Sequence, residues 1–503
     1  MAVVQVIVDR RLDISEIDPR IYGSFAEHMG RCIYGGIYEP GSLYADADGF
    51  RTDVIELVKE MGVTIVRYPG GNFLSGYDWK DGIGPLSARK QRLDLAWHCL
   101  ETNQFGLDQF MAWTKKANVE PMMAMNLGSA GLKDALELLE YTNIDADSQW
   151  ANLRKENGAH RAYDVKVWCL GNEMDGPWQL GHKSATNYGT LAADVARGMR
   201  QIDSDLELVV CGSSGHAMPT FGQWEETVLE HTYDLVDHIS LHIYVEDGGD
   251  TQSFLACATE LDGFIENVTK IADTVKAKKR SEKTITLSLD EWNVWRLSEY
   301  SQLPKPTEWE IAPRVIEDEY TVADAVVVGN LLISILKHSD RVKMACQAQL
   351  VNVIGPIRAE KGHPAWRQTI FFPFAYTAKY GNGIALVSKV NSPMIETKKY
   401  GSVTALDAVT TYDAANNAAA IFLVNRSLTD THTTEIELAG FSDLSIIEQV
   451  TLTDKDLTKT NTLETGEQVK PVSAITGTVS GTKVSITLPP ASWQMVRLSL
   501  KQA

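Results

Sequence analysis

Eight short apolar runs, separated by helical patterns over most of the chain, limit its fold more than any other feature. They are RIYGSF from Arg20, VTIVRYPGGN from Val63, EPMMAMN from Glu120, VKVWCLGNE from Val165, LELVVCGSS from Leu206, DHISLHIY from Asp237, TITLSLDEW from Thr284 and VKMACQAQL from Val342. Each is apolar nearly throughout, as a parallel strand covered on both faces must be. Between them, TDVIELVKEMG, LDQFMAWTKKA, ATNYGTLAADVARGMRQI and ADAVVVGNLLISILKHS carry apolar residues at helical spacing. The first of these offers Thr52 as an N-cap and Gly62 as a stop. Eight strands alternating with helices predict an α/β fold, a (β/α)8 TIM barrel. A doubly wound open sheet would usually show a glycine-rich phosphate loop after its first strand, and none is present.

After about Gly381 the texture changes. Runs such as IALVSKV, AAAIFLVNRS, HTTEIELAG and TKVSITLPPASWQMVRLSL alternate in period two between Asn, Asp, Gly and Thr turns, with no long helical pattern among them. This predicts an antiparallel, jelly-roll-like β-sandwich. The expected division is a barrel over 18–380 and a sandwich over 381–503, joined by the alternating N-terminal strand within 1–17.

A formal net charge of -19 argues against nucleic acid or an anionic membrane as partner, since either would repel the chain. The six cysteines are scattered without a CxxC pair and read as reduced, buried thiols. The N-terminus meets acidic residues too soon for a signal peptide, and no apolar run is long enough to span a bilayer, so a cytoplasmic protein is expected. HExxH, Cys/His ligand spacing and the P-loop are all missing, so neither metal nor organic cofactor is expected. Ser213-Ser214 lacks a GxSxG elbow and reads as a turn.

In a barrel, chemistry sits at the C-terminal ends of the strands. Two runs lead there into glutamates: WCLGNEMDGPW into Asn172-Glu173, and LSLDEWNVW into Glu291, with Trp292 and Trp295 beside it. One such glutamate is as readily a helix cap or an ion pair. Two on different strands suit glycoside hydrolysis, which needs one carboxyl to protonate the leaving oxygen and another, ionised, across the anomeric carbon. Counting runs puts Glu173 on the fourth strand and Glu291 on the seventh.

The segments GSFAEHMGRCIYGGIYEPGS, VRYPGGNFLSGYDWKDGIGP, CLGNEMDGPWQLGH, LHIY, LDEWNVW and AQLVNVIGPI resemble glycoside hydrolase family 51, the α-L-arabinofuranosidases. The resemblance implies that Glu173 is the acid/base and Glu291 the nucleophile of a retaining, exo-acting enzyme, with carboxyl groups about 5 Å apart. It implies that Asn172 bonds the sugar 2-hydroxyl, that Glu27, Asn72 and Gln349 bind arabinose, and that Tyr244 orients the nucleophile. Arg67 is expected to keep Glu291 ionised, or to form a plain structural ion pair. His242 is a further contact or a satisfied core histidine. Trp97, Trp178 and Trp295 are expected at the rim and the leaving-group side, with Trp97 and Trp178 read alternatively as hydrophobic plugs under a loop. The step from Trp292 to Trp295 suits a helical turn, with one of the two in simple packing. Arabino-oligosaccharides from arabinan or arabinoxylan are the implied substrates, and a homohexamer is the implied assembly. The two glutamates alone do not exclude another retaining barrel glycosidase, a β-xylosidase or endoglucanase, but the presence of both weighs against a non-catalytic carbohydrate-binding protein on a decayed barrel.

Overall fold

All eight apolar runs form strands that hydrogen-bond in chain order until the last closes on the first, in a computed structural model describing residues 4–304 and 306–502. Residues 1–3 and 503, the outer ends of the two expected units, lie outside the described residues. The barrel strands are Gly23–Phe25, Ile65–Tyr68, Glu120–Ala124, Val167–Leu170, Glu207–Val210, His238–Val245, Thr286–Val294 and Val342–Ala348. The first is only three residues long because Pro19–Tyr22 ahead of it is a 3-10 turn. Gly23 lets that short strand enter the sheet: a Cβ there would lie 2.7 Å from the Ala345 carbonyl oxygen and from Ile65 Cγ2.

The four helical patterns become Thr52–Met61, Leu107–Ala117, Ala185–Ile202 and Val322–Lys337. Thr52 is not the cap expected of it. Arg51 occupies that position without a side-chain cap bond, and Thr52 is the first helical residue, its hydroxyl donating to the Tyr44 carbonyl at 3.0 Å. Gly62 does end the helix, at φ 78°, with its N–H turned back to Val58 and Lys59. Helix Val322–Lys337 is buried almost throughout, because the C-terminal domain covers its outer face. Gly329 allows this: a Cβ there would meet the Trp493 indole at 2.1 Å.

The alternating runs form a ten-stranded sheet in which Val4–Glu16 lies between Ile384–Asn391, antiparallel, and His432–Ala439, parallel. The two faces expected of a sandwich therefore belong to one continuous hydrogen-bonded sheet. Its strands share a core that includes Val6, Ile421, Ile436, Val484 and Val496. All six cysteines are buried and unpaired. Among the described residues no helix is long and apolar enough to cross a membrane.

Candidate active site

The fourth barrel strand stops at Leu170, and the chain then turns sharply. Gly171 lies at φ 96° and Glu173 itself at φ 44°, so Glu173 projects from the turn rather than from the strand. Glu291 differs: it lies inside Thr286–Val294, where the register shifts between Ser288 and Glu291 against the sixth strand and between Leu289 and Trp292 against the eighth. His242 is its register partner on the sixth strand, and Tyr244, two residues on, shares the His242 face.

These placements bring the two glutamates together. Carboxylate oxygens of Glu173 and Glu291 and a ring nitrogen of His242 all lie within 4.8 Å of one another. Each carboxylate has its own partners. Glu291 accepts from Arg67 Nη1 at 2.8 Å and from the Tyr244 hydroxyl at 2.8 Å. Glu173 lies 2.9 Å from His242 Nδ1 and accepts from Trp178 Nε1 at 2.7 Å. Arg67 is fully buried; its Nη2 donates to Asn172 Oδ1 at 2.7 Å, and its Nε lies 3.8 Å from Asp290. Burial opposes the Arg67 charge, but the negative groups around it hold its pKa well above the ordinary value. Burial alone would lower the pKa of His242; the Glu291 charge and the bond to Glu173 outweigh it and raise that pKa above 6.5.

A cavity of about 460 Å³ opens over this pair. Its far wall is Glu27 beside Gln349, whose amide nitrogen donates to Glu27 Oε2 at 3.2 Å. The other oxygen of Glu27 accepts from the Phe73 amide and the Trp97 indole, both at 2.9 Å. Burial is nevertheless the larger influence and pushes Glu27 up to about 8. Gly71 keeps the space between Glu27 and Glu291 open: a Cβ there would lie 3.2 Å from an oxygen of each.

Of the residues singled out in the sequence, Glu27, Asn72, Trp97, Glu173, Trp178, Tyr244, Glu291, Trp295 and Gln349 line this cavity. Arg67, Asn172 and His242 are not among the residues that line it: Arg67 bonds Glu291, His242 meets Glu173, and Asn172 is tied to Arg67. Trp97 and Trp178 are more than rim surfaces, since each indole donates to a carboxylate. Trp292 and Trp295 are not on a helical turn. The strand runs through Val294, so an odd step sends them to opposite faces: Trp292 is buried against Phe374, and Trp295 stands edge-on to Tyr244. Ser214 Oγ donates to Asp175 at 3.2 Å, and burial pushes that carboxyl up to about 6.

Sequence reasoning missed Asp290, which sits beneath Arg67 and also accepts from Cys169 and Ser288. Its signal was an acidic residue directly before Glu291, in a strand with no exposed face. Also missed were Leu95, Ala96 and Tyr300 of the outer wall, which come from loops without periodicity. Among the described residues the one cluster with metal-type ligands is Glu173, His242 and Glu291 itself. A cation there would have to compete with the Arg67 guanidinium.

The family model of the α-L-arabinofuranosidase 1 domain matches residues 57–256, and that of the α-L-arabinofuranosidase C-terminal domain matches residues 290–492. An intracellular exo-α-(1→5)-L-arabinofuranosidase of Streptomyces lividans is 50% identical over 500 residues, covering 99% of this chain and 75% of the relative. An exo-α-(1→6)-L-arabinofuranosidase of Bifidobacterium longum is 50% identical over 506 residues, covering 98% of this chain and 97% of the relative. A solved family 51 α-L-arabinofuranosidase of Bifidobacterium longum superposes with a TM-score of 0.95 at 46% identity, over 99% of this chain and 100% of its own.

Proposed function

The chain belongs to the family 51 α-L-arabinofuranosidases, and on that premise we propose that it is an exo-acting, retaining member. It releases terminal non-reducing α-L-arabinofuranosyl residues from the arabino-oligosaccharides of arabinan and arabinoxylan. Glu291 attacks the anomeric carbon while Glu173 protonates the departing oxygen, which gives a covalent arabinosyl-enzyme. Glu173 then takes a proton from water, the water attacks the same carbon, and Glu291 leaves.

The spacing of the two glutamates carries this reading. Oxygens within 4.8 Å suit direct attack; an inverting enzyme separates its carboxyls by about 6.5–9.5 Å to seat a water between them. Arg67 and Tyr244 spread the negative charge of Glu291, while Trp178 and His242 hold Glu173 across the cavity. Glu27 and Gln349 close the far wall, which favours one terminal sugar over a chain passing through. The reading extends to work in the cytoplasm and to a homohexamer, for which light scattering should give a mass six times that of the chain.

The decisive assay compares aryl α-L-arabinofuranoside with aryl β-xyloside and β-glucoside, using Glu173→Ala and Glu291→Ala as controls. The arabinofuranoside should be preferred, with β-arabinose absent from the first product seen by NMR. Preference for either pyranoside defeats the substrate assignment, and full activity in either variant defeats the mechanism.

A further inference from the structure

A second cavity, of about 470 Å³, adjoins the catalytic one and shares the walls Asn72, Leu95, Ala96 and Trp178 with it. Trp178 tells on which side it lies. Its indole donates to Glu173, the group placed to protonate the departing oxygen, so the second cavity begins where the leaving group emerges. Glu27, Tyr244, Glu291 and Gln349 line only the first cavity. No bond is cleaved in the second; what it offers is binding surface.

That surface mixes apolar area with hydrogen-bonding groups. Leu93, Trp178 and Leu180 are exposed, at 55%, 53% and 44%. Beside them stand Asp78, Asp81 and Arg92, the last two paired through two hydrogen bonds of 2.6 and 2.9 Å. Deeper in the wall, the Tyr77 hydroxyl and Asn103 Oδ1 have no hydrogen-bond partner among the described residues. The acidic excess disfavours an anionic ligand. A neutral sugar, with apolar C–H faces and hydroxyls at the edge, matches both kinds of surface.

We propose that this second cavity is a subsite for the leaving chain, holding the units of an arabino-oligosaccharide beyond the sugar next to the cleaved bond. The assignment rests on the arabinofuranosidase reading above and makes the enzyme sensitive to chain length. Binding energy gained there, away from the reacting carbon, raises kcat/KM only for substrates long enough to reach it.

Gly76 provides the test. It lines the second cavity and not the first, and a Cβ there would meet only Leu180 Cδ2, at 3.5 Å. Gly76→Phe therefore fills the cavity without striking backbone. For wild type, kcat/KM on arabinotriose should exceed that on arabinobiose by roughly tenfold, the worth of about one good polar contact. Gly76→Phe should abolish that gain while leaving arabinobiose and aryl α-L-arabinofuranoside within about twofold of wild type. Leu93→Ser, which only roughens the apolar wall, should reduce the gain by about threefold and serves if the bulkier variant does not fold. Equal kcat/KM for the two oligosaccharides in wild type, or equal losses on all three substrates in Gly76→Phe, would overturn the subsite. Activity on the aryl substrate without chain-length dependence removes this proposal alone; inactivity on every arabinofuranoside removes the reading beneath it.

Discussion

Replacing Glu27 by glutamine separates the cost of burying a carboxyl from the value of its hydrogen bonds. In the folded protein burial pushes Glu27 up to about 8, despite the donors Phe73 and Trp97; its ordinary value is 4.5. Below pH 4.5 both folded and unfolded chains hold the proton. Between 4.5 and about 8, unfolding releases it, so rising pH favours the unfolded chain. Above 8 both forms are ionised and the trend stops. From pH 5 to pH 8 this one group should cost about 3–4 kcal/mol of stability. Glutamine does not titrate. Its carbonyl can accept from Phe73 and Trp97 as Oε1 does, and its amide faces Gln349, whose own carbonyl oxygen has no partner among the described residues and can turn to accept. Shape and bonding survive, and only the pH dependence is removed. For 503 residues, 1 kcal/mol corresponds to roughly 1 °C at the midpoint. The Tm of Glu27→Gln relative to wild type should therefore rise by about 3–4 °C between pH 5 and pH 8 in paired calorimetric scans. Other titrating groups cancel in that difference. A gap that stays constant across the range refutes a neutral, buried Glu27.

Glu173→Ala should lower kcat by about 10²–10⁴-fold on arabinobiose and far less on an aryl arabinofuranoside, whose leaving group needs little protonation. Equal losses on both would count against Glu173 as the acid. Arg67→Met leaves Glu291 and Asp290 buried without their counter-charge and should cost about 3–5 kcal/mol in chemical denaturation; a cost below about 1 kcal/mol would show that Arg67 is dispensable to the network. Trp178→Phe keeps an aromatic surface but loses the indole donor to Glu173. Its kcat should fall by roughly tenfold with Tm unchanged, and a kcat equal to wild type would show that the bond has no catalytic role.

The barrel was legible because parallel strands buried on both faces leave continuous apolar runs, and all eight runs entered the closed sheet. The two glutamates were legible for a related reason: a charged residue ending such a run has no core to enter. What stayed hidden lacks that contrast. Thr52 looks like a cap, yet its hydroxyl donates to the distant Tyr44 carbonyl, and Arg51, paired with Asp53 and Glu39, takes the position. Trp292 and Trp295 have helical spacing, yet the strand continues beneath them and separates their faces. Leu93, Leu95 and Ala96 sit in a loop with no periodicity, and only the folded chain shows that they form walls of the cavities. Arg67 could be named from its run, but its three partners come from the turn after the fourth strand and from the seventh strand, distances in sequence that no local pattern encodes.

His242 lies between the two glutamates and couples them. Its Nδ1 lies 2.9 Å from Glu173 and 3.7 Å from Glu291. Burial lowers its pKa; the Glu291 charge, the bond to Glu173 and the Glu173 charge raise it. In the proposed mechanism, forming the arabinosyl-enzyme turns Glu291 into a neutral ester and removes the first of these. The imidazolium then becomes easier to deprotonate. The sign for stability follows. A raised His242 pKa contributes stability fully present below the ordinary 6.5, and lost as pH rises through the folded value. NMR of 15N-labelled histidine should show His242 titrating above 6.5 in the free enzyme, and lower once a slowly hydrolysed arabinosyl donor has glycosylated Glu291 with loss of its aglycone. An unchanged titration between the two states would mean that the Glu291 charge does not govern His242.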